Sequence, residues 1–246
     1  MGRFRWQIIL ALALVVLSVM LYLLHYAIFV DPHHIFIYML GDIAFIPIEV
    51  LLVTLVIHQV LSQREKRSRL EKMNMVIGAF FGEVGTRLLA YLSDFDPRLN
   101  EIKKDLVVRD DWSAQQFADV SRRLHKHDYQ VEIQKVRLED VHAFLKAKRD
   151  FLVRLLENPS LLEHESFTDL LRSVFHLTEE LEKREGMTDL PGTDIEHLAV
   201  DLKRAYVLLV HEWLGYMRHL RYNYPYLFSL AMRTNPFDES ASVLVG

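Results

Sequence analysis

Two acidic residues in an otherwise apolar segment are the first candidates for chemistry. Asp42 and Glu49 lie seven residues apart within residues 35–61, so on a helix they share one side, about 10 Å apart along the axis. A carboxylate in hydrocarbon normally faces a partner group or a water-filled cavity. The pair therefore allows a pore with two acidic rings in an oligomer. The alternative, which we favour, is that Asp42 caps the helix and that Glu49 is either protonated or bonded to a polar group of the preceding helix.

A stretch of aromatic and basic residues near the C-terminus, residues 211–237, is the second candidate. Its candidate contact residues for an anion, a lipid headgroup or a partner protein are Arg218, Arg221, Tyr222 and Arg233. Aromatic rings beside arginines suit such ligands. The alternative, which we favour, is a final helix that breaks at Pro225 and whose rings close a helical core.

Histidine motifs for metal binding are incomplete in this sequence. The chain has 12 histidines and no cysteine, which excludes disulfides and thiolate sites. Glu139 and His142 have the Glu-x-x-His spacing of di-iron bundles, but the second copy that such a site needs is missing. His164 and His176 are not an i, i+4 pair. The sequence therefore predicts no metal site.

Motifs for nucleotide binding and hydrolysis do not occur in this sequence either. The phosphate-binding, dinucleotide-binding, nucleophile-elbow and zincin patterns are all missing. The net charge of -4 is small and evenly mixed, so no basic field for nucleic acid is expected. We predict no enzymatic chemistry, no cofactor and no nucleic-acid partner.

Two long apolar segments predict a membrane hairpin over residues 1–61. Residues 7–30 contain no Asp, Glu, Lys or Arg and are long enough to cross a hydrocarbon core of about 30 Å. A cleaved signal peptide is the alternative, but the apolar run is longer than usual and a second one follows. That second span is expected over about residues 41–61. Basic residues flank both spans and are missing from the connection, so both termini are expected in the cytoplasm, beneath the cell (inner) membrane.

A helical stalk continuous with the second span is expected over residues 62–93. Its apolar residues recur at steps of three and four, as Leu70, Met73, Ile77, Phe80, Val84, Leu88 and Leu92. Small residues close together on a helix let two helices approach. We favour an oligomer packed around this stalk, and the residues expected at that contact are Gly78, Gly82, Gly85, Ile77, Phe81 and Val84. The alternative is a seam that docks on the chain's own domain.

A cytoplasmic helical domain is expected over residues 94–237, followed by a flexible tail at 238–246. The expected helices cover residues 98–108, 113–127, 129–157, 161–184 and 194–222. Their start signals are Asp96 before Pro97 and the capping-box pairs Ser113 with Gln116, Ser160 with Glu163, and Thr193 with Glu196.

The predicted fold is therefore all-α: a two-helix transmembrane hairpin that continues through a helical stalk into a cytoplasmic bundle. The expected function is that of a homo-oligomeric integral membrane protein whose cytoplasmic domain binds a partner protein or senses a small ligand. The alternative function is a small cation channel lined by Asp42 and Glu49. In a pore, Glu49→Gln would change ion flux, whereas an anchor would carry no flux in either form.

Overall fold

Helices form all the regular structure in the described part of the chain. The computed structural model describes residues 2–159, 161, 164–187 and 189–244, and the side chains of all of these except residues 2–5, 7, 34 and 64–70. No strand occurs in these ranges, which confirms the all-α prediction. The chain forms two compact units, Met1–Glu65 and Lys66–Gly246, and each is described by itself.

The described helices vary widely in length, and the two longest are α2 and α8. They are α1 (Gly2–Phe29), α2 (Pro32–Phe80), α3 (Thr86–Ser93), α4 (Leu99–Leu106), α5 (Ala114–Lys126), α6 (Leu138–Leu156), α7 (Glu165–Glu182), α8 (Gly192–Asn223) and α9 (Pro225–Arg233). A π turn, Phe81–Gly85, connects α2 to α3, and a single 3₁₀ turn, Ile133–Lys135, precedes α6.

Three helical segments in the described ranges are apolar enough to cross a membrane by length and composition. They are Ile8–Phe29, Ile35–Gln63 and Glu71–Ser93. In the first two, none of the most apolar window is buried within the protein, whereas 44% of that window is buried in the third. The third segment thus supplies core residues to the second unit, although its composition resembles that of a span.

The apolar seam of the stalk is buried in the chain's own domain. Ile77, Phe80 and Val84 belong to one hydrophobic core with residues of the later helices. The ring of Phe80 packs edge-on against that of Phe167 in α7, with 5.4 Å between ring centroids. This corrects the role expected for Ile77, Phe81 and Val84, because side chains that are at most 4% exposed are not available to a second copy. The seam follows the alternative interpretation and docks internally.

Helix α8 is the centre of the second unit. It packs against α3, α5, α7 and α9, and its buried stripe includes Leu198, Leu202 and Tyr206. Such a stripe forms where apolar residues recur at the period of the helix. Helix α7 packs against both α6 and α8, so the surface between α7 and α8 is fixed by core contacts on either side.

The helix expected over residues 129–157 begins later than predicted, at Leu138. Tyr129, Ile133 and Val136 are buried at steps of four and three, which imitates a helical pattern. The backbone is not helical at this point, since the N–H of Glu132 donates to the carbonyl of Phe95 at 2.9 Å. A tertiary backbone hydrogen bond therefore replaces the helix here.

One of the expected helix starts is confirmed in full, namely the capping box at Ser113. The Ser113 hydroxyl accepts from the backbone N–H of Gln116, and the Gln116 side chain accepts from the backbone N–H of Ser113. Such reciprocal bonds satisfy two amides that the helix itself leaves without partners. Helix α5 therefore begins at Ala114, as the sequence predicts.

Other expected starts are shifted. The Asp96 carboxylate accepts from the backbone N–H of Arg98, but α4 begins only at Leu99. Helix α8 begins at Gly192, one residue before the expected cap Thr193. Its N-cap residue is Pro191. Helix α7 follows His164, whose Nδ1 accepts from the backbone N–H of Phe167. The expected capping pair Ser160 and Glu163 lies outside the described residues.

The C-terminal segment breaks at Pro225, as the sequence predicts. Helix α8 ends at Asn223 and α9 starts with Pro225 in its first turn. Of the nearby rings, Trp213 and Phe237 are buried against each other at 5.4 Å between centroids, whereas Tyr226 remains 71% exposed. Past residue 237, Glu239 pairs with Lys103, so the first residues of the expected tail contact the domain.

Candidate functional site

Four titratable side chains converge on the groove between α7 and α8. His176 and Glu180 lie one turn apart on α7, and His197 and Asp201 lie one turn apart on α8. Residues four apart share a face of a helix, and the core packing of α7 against α8 turns both faces toward the same groove. Each helix thus contributes one imidazole and one carboxylate.

The four groups approach each other at similar distances. Nε2 of His176 and Nε2 of His197 each lie 3.4 Å from Oδ2 of Asp201. Nε2 of His197 lies 3.7 Å from Oε2 of Glu180, and Nε2 of His176 lies 3.9 Å from Oε1 of the same carboxylate. The side chains of the two histidines are 45% and 51% exposed, so solvent reaches the groove.

Asp201 is the buried member of this group. Its side chain is 2% exposed, and its Oδ1 accepts a hydrogen bond of 2.7 Å from the Arg204 guanidinium. Its Oδ2, which faces both imidazoles, has no hydrogen-bond partner. A buried carboxylate oxygen without a partner is costly, and this one points into the groove.

Glu180 is oriented by a second arginine. The Arg184 guanidinium donates to Oε2 of Glu180 at 3.0 Å and forms a two-pronged pair with Asp194, at 2.5 and 2.8 Å. The hydrogen bond and the positive charge of Arg184 lower the pKa of Glu180. Glu180 is therefore an ionised carboxylate at neutral pH, held in place from the side opposite the histidines.

Two of the four aromatic and arginine residues predicted as contacts share a cavity. Arg218 and Tyr222 line a groove of 440 Å³ together with Glu212 and His219. The Arg221 guanidinium lies 5.9 Å from the centre of the Tyr222 ring. The groove is mixed in charge because Glu212 offsets Arg218. Ligand binding there stays a prediction.

Arg233 lies in a different environment from the other predicted contacts. It lines a second cavity, of 750 Å³, together with Arg109, Asp110 and Asp238. Its guanidinium donates to the backbone carbonyl of Val243. The Nη1 atom of Arg233 is thus bonded to the C-terminal segment. Arg233 and Arg218 line different cavities.

The two acids of the second apolar segment lie in the first unit. Asp42 and Glu49 are both exposed on α2, as are the residues between them. Helix α2 is continuous from Pro32 onward, so Asp42 lies inside the helix and does not cap its N-terminus, which corrects that expectation. The pore hypothesis stays a prediction.

The stalk glycines differ from one another in what surrounds them. A Cβ at Gly78 would make ordinary contact with the Tyr216 ring at 3.7 Å, one at Gly82 would meet open space, and one at Gly85 would collide with Phe81 at 2.6 Å. Gly78 and Gly85 thus make room for aromatic rings of the same chain. Oligomer packing around Gly82 stays a prediction.

Comparison with known proteins gives matches to both parts of the chain. Residues 69–233 match a family model described as "Uncharacterized protein MJ1433, C-terminal helical domain", and residues 2–61 match "MJ1433, N-terminal helical domain". The chain belongs to the MJ1433 family. The protein MJ1433 of Methanocaldococcus jannaschii is 43% identical over 240 residues, which cover 98% of this chain and 96% of the relative. No solved structure matches the chain. The matched stretches fall within the two compact units, and the family descriptions name helical domains without an activity.

The sequence carries a signal for the α7–α8 group in the form of mixed histidine–carboxylate pairs. His176 with Glu180 and His197 with Asp201 are both histidine–carboxylate pairs at i, i+4, the spacing that places two ligands on one face. Motifs built from two histidines or from Glu-x-x-His do not include such mixed pairs. Two such mixed pairs on consecutive helices are the pattern that would have found this group.

A half-buried histidine on α8 gives the domain a pH dependence. His211 stacks on His125 with 4.1 Å between ring centroids, and burial, with the nearby His125, lowers the pKa of His211 to about 4. Unfolded histidine titrates near 6.5. As the pH falls from about 6.5 toward 4, the unfolded chain binds a proton that the folded chain does not, so folding stability is lost in that window.

We expect His211→Gln to flatten this acid dependence. Between pH 7 and pH 5 the wild type should lose about 1–2 kcal/mol more unfolding free energy than the variant, a value reduced for the partial exposure of the ring. Urea unfolding of the detergent-purified chain at both pH values measures the difference. His33→Gln, at an exposed histidine of the first unit, is the matched control and should keep the wild-type dependence. Equal pH dependence in wild type and His211→Gln would contradict the assignment.

Proposed function

We propose that the chain is a homo-oligomeric, membrane-anchored sensor, with its first unit in the cell (inner) membrane and its helical domain in the cytoplasm. The observation that carries the proposal is the exposure of the segments Ile8–Phe29 and Ile35–Gln63, in which none of the most apolar window is buried. Leu12, Leu23 and Val56 are each more than 60% exposed. Apolar surface of this extent marks contact with a membrane or a partner.

A bilayer accounts for both the length and the composition of these segments. At about 1.5 Å per residue, each is long enough to cross a hydrocarbon core of about 30 Å. Helical backbone satisfies its own hydrogen bonds in lipid. The third apolar segment, Glu71–Ser93, contributes to the core of the domain, so we propose two spans and not three.

Homo-oligomerisation is supported by the acids of the first unit. Asp42 and Glu49 are exposed on an apolar helix, and intramembrane carboxylates normally find polar partners or water-filled surroundings. A second copy of the hairpin offers such partners. The stalk seam does not contribute to this argument, because it is buried in the domain.

Cysteine labelling tests the anchor and its orientation, because the chain has no native cysteine. His33→Cys lies in the connection between α1 and α2, and Ser242→Cys lies near the C-terminus; both positions are exposed. In right-side-out vesicles, a membrane-impermeant maleimide should label His33→Cys and should reach Ser242→Cys only after permeabilisation. Both chains should stay in the membrane pellet after an alkaline carbonate wash. Release by carbonate, or equal labelling of both positions in sealed vesicles, would contradict the proposal.

A further inference from the structure

We propose that His176, Glu180, His197 and Asp201 bind one divalent transition-metal ion, with zinc as the best fit. This names the ligand of the sensing domain. Its sensory role rests on the function proposed above, whereas the binding itself does not depend on the membrane anchor.

The distances from Asp201 to the two histidines match tetrahedral coordination. Nitrogen and oxygen atoms bound about 2.0–2.2 Å from one zinc ion lie about 3.3–3.6 Å apart at the corners of a tetrahedron. The two His Nε2 atoms lie 3.4 Å from Oδ2 of Asp201, and the distances to Glu180 are 3.7 and 3.9 Å. The ligand atoms of His176, Glu180 and His197 all lie within 4.8 Å of one another. Because the two Glu180 distances involve different oxygens, Oε2 and Oε1, this carboxylate would turn to present one oxygen to an ion held by His176, His197 and Asp201.

Asp201 supplies an independent indication that the groove takes a cation. Its Oδ2 is buried and has no hydrogen-bond partner, while its Oδ1 is held by Arg204. The free oxygen is therefore fixed in direction, at equal distance from the nitrogens of His176 and His197. A cation in front of it satisfies an oxygen that accepts no hydrogen bond within the protein.

The donor types select the class of ion. Two imidazole nitrogens with two carboxylate oxygens suit zinc and neighbouring transition metals, whereas calcium and magnesium prefer oxygen ligands alone. Magnesium also demands a near-ideal octahedral arrangement. The groove therefore fits a transition-metal ion better than either of the hard cations.

Both carboxylates have partners on the side away from the groove. Arg204 fixes Asp201, and Arg184 fixes Glu180 while it is itself paired with Asp194. Outer contacts of this kind orient the ligands of metal sites and are worth about 10–100-fold in affinity. Since Asp194 offsets the charge of Arg184, the arginine orients Glu180 with little added repulsion of a cation.

The position of the site explains how binding could be sensed. Its ligands come in pairs from α7 and α8, so an ion would join the two helices next to the core of the domain. The imidazoles are about half exposed, so the ion can exchange with solvent. Binding to the folded state alone stabilises it in proportion to ligand concentration.

The test is a zinc titration of the full chain, purified in a non-ionic detergent without a histidine tag and stripped with a chelator. Isothermal titration calorimetry should show one Zn²⁺ bound per chain, and Zn²⁺ should raise the midpoint of thermal unfolding. His176→Gln and His197→Gln should each weaken binding by about 100-fold or more, since each removes a ligand and not merely an outer contact. His125→Gln removes an exposed histidine of the stacked His125–His211 pair and should bind like the wild type.

Two further readouts keep the result interpretable. Circular dichroism of each variant without metal should match the wild type, because the substituted histidines are half exposed; should either variant misfold, Glu180→Gln replaces it in the comparison. Cobalt(II) bound in place of zinc should give the intense visible absorption of four-coordinate cobalt. Weak six-coordinate bands, no binding by the wild type, or equal losses in His125→Gln and His176→Gln would each overturn the proposal.

The outcomes separate this proposal from the proposed function. If the chain stays in carbonate-washed membranes but binds no zinc in detergent, the metal site fails and the anchor stands. If the chain binds zinc but is released by carbonate, the anchor fails and the metal site stands.

Discussion

Replacing Phe80 by alanine is expected to lower the unfolding free energy of the helical domain by about 3–5 kcal/mol. Phe80 is fully buried, with its ring edge-on to those of Phe81 and Phe167 at 5.4 Å each. Truncation removes apolar burial and leaves a cavity between the stalk and α7. Urea unfolding in detergent, followed by tryptophan fluorescence, measures the loss, since Trp112 and Trp213 are buried in the domain.

Met75→Ala is the matched control on the same helix. Met75 is 64% exposed, so its truncation should change the unfolding free energy by no more than about 0.5 kcal/mol. If the stalk seam packed between copies, Phe80→Ala would lower the subunit count in mass photometry and leave the domain's stability nearly unchanged. That outcome would contradict internal docking of the seam.

Gly85→Ala is the second substitution with a large expected effect. A Cβ there would lie 2.6 and 2.8 Å from ring carbons of Phe81 and Phe80, and both rings are buried. Rings held in a core cannot move aside cheaply, so we expect a loss of about 1–3 kcal/mol. The same urea titration measures it.

Gly82→Ala provides the contrast within the same π turn. A Cβ at Gly82 meets open space, and alanine is favoured over glycine in helices by up to about 1 kcal/mol. The variant should therefore be neutral or more stable than wild type. A drop in subunit count for Gly82→Ala would instead place this glycine at a contact between copies, as the sequence suggests.

The helical elements of this chain were predictable because their signals are local. The apolar segments around residues 8–29 and 35–63 are identified by their composition. The capping box at Ser113 is complete within four residues. The period of the apolar residues also predicts the seam through Ile77 and Val84. The surface that this seam packs against is not predictable in the same way. An apolar stripe has the same pattern whether it packs against another chain or against its own domain.

Contacts between segments that are far apart in the chain were not predictable, for a different reason. The segment before α6 carries buried residues at helical spacing, yet its backbone bonds to Phe95 instead of to itself. The four groups of the α7–α8 groove lie near enough in sequence to be listed as pairs, but only the packing of α7 on α8 decides that His176 faces Asp201. Pairing between helices is a tertiary property.

The π turn of the stalk has a consequence for the phase of the whole seam. Along a regular α-helix, Leu92 would drift about 100° around the axis from Met73. One extra residue in a π turn takes back about the same angle, and both Met73 and Leu92 are indeed buried in one core. The turn Phe81–Gly85 thus serves the purpose that supercoiling serves in a coiled coil: it keeps a long apolar stripe in register with its partners without bending the helix axis around them.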